Sequence, residues 1–197
     1  MRHKQLVFLT TAAVLCVGLV TAALAGGRPM PPGSAGDNIA LNKPYTMSPA
    51  PNYSYCTDAG DATQLTDGAY TSGWFWTQQS TVGWSNPPSA PTIIIDLGSI
   101  QPVKGVSYNT AGGVGGAYWP TAINLFVSND GINYSSIGDL ASISNSEHGN
   151  APAYGTHAVH RYWTDQLATF GRYVKLEVIQ QPFVFVDEIM IDRKSVV

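Results

Sequence analysis

The chain predicts an all-β fold, on three observations. From Asn38 onward its apolar residues come in short runs with period two or with no period. Gly, Pro, Asn and Asp punctuate those runs, and no long stretch carries apolar residues at helical spacing. Taken in order, the β-branched run Ile93-Ile94-Ile95, closed by Asp96-Leu97-Gly98, reads as a central strand covered on both faces. Val103 to Thr110 is the next strand. Ala122 to Val127 alternates, placing Ile123, Leu125 and Val127 on one face, and Asn129-Asp130-Gly131 supplies a hairpin turn whose partner strand runs from Tyr134 to Ile137. Val159 to Trp163 reads as a strand with His160 and Tyr162 on one face and Arg161 and Trp163 on the other. Later, Val174, Leu176 and Val178 face one way while Tyr173, Lys175 and Glu177 face water. Pro182 breaks the pattern, and Phe183 to Ile191 is expected to return as one final strand with Ile189 and Ile191 in the core.

The start of the chain is an address rather than a fold element. Met1-Arg2-His3-Lys4, an apolar run from Leu6 to Val20 and the small-residue site Ala23-Leu24-Ala25 predict a secretory signal peptide over 1–25, cleaved after Ala25. The run is too short for a lasting span, so no transmembrane anchor is expected. Leu15 stands where a lipoprotein site before Cys16 needs a small residue, so no lipid anchor is expected either. The product is expected to be secreted or periplasmic. Residues 26–36, rich in Gly, Pro and Ser, are expected to form a flexible leader, leaving about 160 residues for a single well-buried domain. Without Arg2 and Lys4 the chain holds 8 Lys+Arg against 13 Asp+Glu, a net charge of about −5, which excludes nucleic acid and anionic membrane as partners. Cys56 is then the single remaining cysteine, expected to be buried, and no internal disulfide can form.

One polar stretch stands out, Gln64 to Trp74. Asp67, Thr71 and Ser72 place hard oxygens close together, Gly68 and Gly73 permit unusual backbone angles, and Trp74 can pin the end. Calcium takes six to eight oxygens, more than this loop offers, and Glu188 is nominated as the carboxylate that arrives from elsewhere. The alternative is a capped turn in which Asp67 bonds local backbone amides.

Six pieces now occur in order: Asn38-Ile39-Ala40-Leu41-Asn42-Lys43-Pro44, Leu65-Thr66-Asp67-Gly68 with Trp74, Ile95-Asp96-Leu97-Gly98, Val127-Ser128-Asn129-Asp130-Gly131, Gly171-Arg172-Tyr173-Val174 and Asp187-Glu188-Ile189. Together they resemble a discoidin domain, also called the coagulation factor 5/8 type C domain, across residues 37–194. The resemblance implies a jelly-roll β-sandwich of about eight strands, the galactose-binding-like fold shared with family 32 carbohydrate-binding modules. In those modules a structural calcium sits beneath the binding loops. The matching positions here are Asp67, Ser72 and Glu188 by side chain, with Gln64, Ala69 and Asp187 through their carbonyls.

The resemblance also implies binding through loops at one end of the sandwich, here 52–61, 77–86, 110–119 and 180–183. Sugars present apolar C–H faces ringed by hydroxyls, so an aromatic platform with a few hydrogen-bonding groups suits them. Trp76, Tyr118, Trp119 and Phe183 are the candidate platform and Gln79, Asn109 and Gln181 the candidate polar groups; packing as core lids or loop props is the alternative for any one ring. Galactose-binding members use an arginine and an asparagine in the loop matching Ala111 to Tyr118. This loop, Ala-Gly-Gly-Val-Gly-Gly-Ala-Tyr, has neither, which argues against galactose. His148, His157 and His160 are expected to be satisfied structural histidines, and Asp58 and Asp61, near Tyr53 and Tyr55, lack any accompanying nucleophile motif, so no catalytic residue is expected. The expectation is a non-catalytic module for a glycan or cell-surface ligand; a protein-interaction or adhesion module is the alternative.

Overall fold

The structure, a computed structural model, describes residues 38–193. The predicted signal peptide (1–25) and leader (26–36) lie outside the described residues. The strands are β1 (Tyr45–Ser48), β2 (Val82–Ser85), β3 (Thr92–Val103), β4 (Gly105–Gly112), β5 (Ala122–Ser128), β6 (Ser135–Asp139), β7 (Ala158–Thr164), β8 (Thr169–Ile179), β9 (Phe183–Val186) and β10 (Glu188–Asp192). One helix, α1 (Leu140–His148), interrupts them. All strand pairings are antiparallel. A five-stranded sheet, β1-β3-β8-β5-β6, faces a three-stranded sheet, β10-β4-β7, extended by the pair β2-β9. The result is a jelly-roll β-sandwich of the galactose-binding-like kind.

Alternation dictates the core. In the five-stranded sheet, register aligns Ile93, Leu176 and Leu125 in one row and Ile95, Val174 and Val127 in the next. Across from them, Ile189, Tyr108 and Tyr162 form a row of the three-stranded sheet. All nine belong to one buried cluster with Trp84, Val184 and Val186 of the small pair. The opposite faces of β8 and β5 carry Lys175, Glu177 and Asn124, of which Asn124 donates its amide to Glu177 at 3.1 Å.

Four expectations are corrected. The strand covered on both faces is β4, whose residues are all buried; on β3, Ile94 is half-buried and only Ile93 and Ile95 reach the core. Phe183 to Ile191 is two strands rather than one. β9 pairs with β2 and β10 with β4, and the chain changes sheet at Asp187, whose buried carboxylate is claimed by the Thr71 amide and the Asn109 side chain. The stretch 77–86, expected as loop, contains β2. Finally, the helix α1 was not expected, because only Leu140, Ala141 and Ser144 of its nine residues are buried and so little apolar spacing marks it. Its ends do carry signals: Asp139 accepts from the Ala141 amide at the N-terminus and Gly149 stands at φ 85° after the last turn.

The sequence pieces are fixed by specific hydrogen bonds. Asp96 accepts two hydrogen bonds of 2.8 Å from the Arg172 guanidinium and one from the Gly98 amide, which holds its carboxyl below the usual range. Asn38 caps Ala40 and accepts from the Ile191 amide at 3.3 Å, closing the first piece on the last strand. Asp130 accepts from the Ile132 and Asn133 amides at 2.8 Å within the β5–β6 turn.

Candidate binding surface and candidate metal loop

The outer face of the three-stranded sheet is polar, and the 67–72 loop covers it. Register lines up Glu188, Asn109 and Arg161 in one row, all three buried. Tyr70 lies over Arg161, the guanidinium carbon 4.6 Å from the ring centroid. Glu188 Oε2 accepts from the Gly68 amide at 3.2 Å, while Glu188 Oε1 is buried with no hydrogen-bond partner. Burial pushes the Glu188 carboxyl up to about 8, and the charges of Asp67 and Asp187 add to the rise; Gly68 and Arg161 oppose it. Asp187 is likewise pushed up to about 6 by burial.

This arrangement tests the calcium reading. A fully buried carboxyl with one orphaned oxygen, repelled by the charges of Asp67 and Asp187 and offset only in part by Arg161, leaves room for the charge of a divalent cation. Asp67 is exposed and its Oδ1 accepts from the Ala69 amide at 2.7 Å, so the capped turn is also present. Ser72 and Ala69 are exposed; Gln64 is buried, its side-chain amide spent on Asp61 at 3.0 Å. Among the described residues no three His, Cys, Asp or Glu side chains gather as a metal cluster. A calcium here would draw on two carboxylates, and the rest of its shell on hydroxyl and carbonyl oxygens. The donor set fits that ion.

At one end of the sandwich the structure gathers rings. Trp74, about half exposed at 49%, and half-buried Trp76 have centroids 5.2 Å apart. His157 lies 4.6 Å from Trp74 and 5.2 Å from Trp76. Trp76 packs on Phe185, Phe185 on Tyr53, and Tyr53 on Phe183. Tyr118 stacks on Tyr154 at 5.0 Å, each 51% exposed. The glycine-rich tip between β4 and Tyr118 lies within this group: a Cβ at Gly116 would touch the Phe183 ring at 3.3 Å, and one at Gly113 would strike the Thr156 carbonyl.

Of the expected contact residues, Trp76, Tyr118 and Phe183 are at this end and at least partly exposed. Trp119 is a prop: its indole N–H donates to the Pro152 carbonyl at 2.7 Å and its ring leans over Gly112. Asn109 is displaced from the list altogether, because it is buried on β4 and its amide is given to Asp187 at 2.8 Å. Gln79 and Gln181 are exposed, the latter donating to the Pro87 carbonyl at 3.3 Å. Sequence reasoning missed Trp74 as a surface ring, and it missed Tyr154 and Gln180. Buried Gln180 donates to the Tyr118 carbonyl at 2.6 Å and so sets that loop. His157 is not a satisfied histidine: its Nε2 is buried without a partner, and burial lowers its pKa. His148 stacks on Trp163 at 3.6 Å, away from the rings just described. Cys56 is buried, its thiol pushed up to about 12 by burial and by Asp61 and Asp58, which leaves it unreactive. Among the described residues no helix is long and apolar enough to cross a membrane.

A family model described as the F5/8 type C domain matches residues 50–189. No curated protein matches the chain. Solved structures of similar fold include chitosan-binding module 2 of the chitosanase/glucanase from Paenibacillus sp. IK-5, in complex with chitotriose, at 20% identity over 79% of this chain and 99% of that one, TM-score 0.50. A fucose binding module of Streptococcus pneumoniae is 16% identical over 81% and 98%, TM-score 0.53. A fucolectin from the serum of striped bass, Morone saxatilis, is 17% identical over 80% and 48%, TM-score 0.53. At these identities the likeness is one of fold.

Proposed function

The chain belongs to the F5/8 type C domain family, and we propose that it is an exported, non-catalytic carbohydrate-binding module whose ligand stacks on the rings at one end of the sandwich. Fold decides no ligand. The observation that carries the reading is the gathering of Trp74, Trp76, Tyr118, Tyr154 and Phe183 at that end, all at least partly exposed. Aromatic faces meet the C–H faces of a sugar, and the exposed Gln79 amide and the Gln181 side-chain oxygen, on the same loops, would meet its hydroxyls. The similar folds named for chitosan and fucose binding support the same reading. The rings are held before any ligand arrives, Tyr118 by Gln180 and by stacking on Tyr154, so little ordering entropy opposes binding.

We assign Asp67, Ser72 and Glu188 by side chain, and Gln64, Ala69 and Asp187 by carbonyl, as the residues that would hold calcium. When bound, the ion would supply the positive charge that Glu188 lacks and tie the loop to β10. These residues meanwhile hold the stretch that leads into Trp74 and Trp76, through Gly68 on Glu188 and Thr71 on Asp187.

A glycan array probed with the domain and with Tyr118→Ala tests the binding. The parent is expected to retain at least one glycan and the variant to lose it at an unchanged melting temperature. A parent that retains none defeats the reading. For export, the mass of the protein recovered outside the cytoplasm is expected to correspond to a start at Gly26; an intact Met1 on most of that material rejects the signal peptide.

A further inference from the structure

The ligand-binding end has a property beyond its rings. The stretches that build it, 50–57, 72–86, 110–120, 150–157 and 180–186, contain no Asp, Glu, Lys or Arg, in a chain of which 12% is charged. The acids that border these stretches are engaged elsewhere: Asp58 caps the Gly60 amide at 2.6 Å, Asp61 is buried and accepts from Gln64, and Asp187 is fully buried and accepts from the Thr71 amide and the Asn109 side chain. His157, the one titratable base among these stretches, has its pKa lowered by burial and is neutral near pH 7.

The rings also fall into two groups. Trp74, Trp76 and His157 form a triangle, and Tyr118 with Tyr154 forms a stacked pair. The glycine-rich tip connects them. Gly116 donates its amide to the Tyr154 hydroxyl at 3.1 Å, and Gly155 donates to the Gly113 carbonyl at 2.7 Å, so Tyr154 and His157 flank the tip three residues apart. At exposed Gly115 even a Cβ would meet nothing within 4 Å, and half-buried Val114 is the one side chain larger than hydrogen among residues 112–116, so the tip between the groups is low.

We propose that this end binds an uncharged oligosaccharide chain laid across both groups, with Trp74–Trp76–His157 as one station and Tyr118–Tyr154 as the other. The proposal rests on the carbohydrate reading above and deepens it. A carboxylate, sulfate or ammonium group brought to this surface sheds water and meets no opposite charge, which disfavours charged glycans. A neutral sugar loses less and gains the stacking contact. One ring occupies one station; a chain of linked rings repeats the same contact at the second, and the gain is intramolecular.

The test uses the full exported chain. Affinity electrophoresis is run through gels containing neutral polysaccharides (mixed-linkage β-glucan, galactomannan, xyloglucan) and charged ones (polygalacturonate, chitosan). Calorimetry then follows a series from monosaccharide to hexasaccharide of whichever polymer retards the protein. Retardation by a neutral polymer only is expected, with affinity rising about tenfold or more from monosaccharide to the longer oligosaccharides. Trp74→Ala and Tyr118→Ala should each weaken the hexasaccharide by about tenfold, and Trp74→Phe, which keeps a ring and the fold, should restore most of it. The proposal is overturned, with the carbohydrate reading intact, by retardation on a charged polymer, by a monosaccharide that binds as tightly as the hexasaccharide, or by a folded Trp74→Ala that binds unchanged. Retention of no glycan of any length or charge overturns both.

Discussion

Glu188 is the residue on which the fewest forces agree. It is fully buried, half of its carboxylate is unpartnered, and its acid is pushed from 4.5 up to about 8. Without metal the folded state therefore keeps a proton that the unfolded state releases between those two values. The folded state binds more protons across that window, so stability falls as pH rises through it and is lowest above about 8. Asp187 and Asp61, each raised to about 6, give the acidic part of the same slope. Asp96 and Asp130, both held below the usual 3.8, act with the opposite sign at lower pH, and His157, lowered from 6.5 by burial, opposes the fall only below about 6.5, one group against the three raised carboxyls. Melting curves in chelator are thus expected to show a falling Tm from about pH 5 to about pH 8, and Glu188→Gln, which cannot titrate, should flatten the upper half of that fall. A Tm that climbs across the window removes the argument.

Among the elements, α1 tests how much one capping residue holds. Asp139 ends β6 and accepts from the Ala141 amide at 3.0 Å, but the same Oδ1 accepts from the Ile123 amide of β5 at 2.8 Å. It joins helix and sheet. Asp139→Ala removes the cap and leaves a buried strand amide without its partner, so a loss of about 1–2 kcal/mol is expected in urea unfolding, with an unchanged m-value. A loss within about 0.5 kcal/mol, the range of ordinary surface substitutions, would place the helix's stability elsewhere, in the Ser144 and Glu147 contacts to Trp163 and Thr164 of β7.

For the molecule as a whole, the consequential contact is the one that joins positions 120 residues apart, Gly68 to Glu188. A cation held there binds the folded state alone, because the unfolded chain does not bring loop and strand together. Calcium is expected to raise Tm and chelator to lower it, by about 2.7 kcal/mol of stability at a hundredfold excess over Kd. Glu188→Gln should remove most of that response. A wild-type curve indifferent to calcium and chelator alike would leave Asp67 as a turn cap and nothing more.

The sandwich was legible in the residues because alternation and turn chemistry are local. Ile123, Leu125 and Val127, or Val174, Leu176 and Val178, can face the core only if their neighbours face away, and Asn129-Asp130-Gly131 can hardly be anything but a turn. The ordered pieces that resemble the family are also the pieces that bond one another, Asp96 with Arg172 and Gly68 with Glu188. What only tertiary structure decided is where polar and aromatic side chains finish. Asn109 and Trp119 have the chemistry of ligand contacts, yet one is consumed by Asp187 and the other by Pro152. Trp74 and His157 come from distant stretches and meet only because β7 pairs with β4 and sets His157 beside the glycine tip. A side chain's type states what it can bind; which partner claims it first depends on distance, and distance is settled by packing.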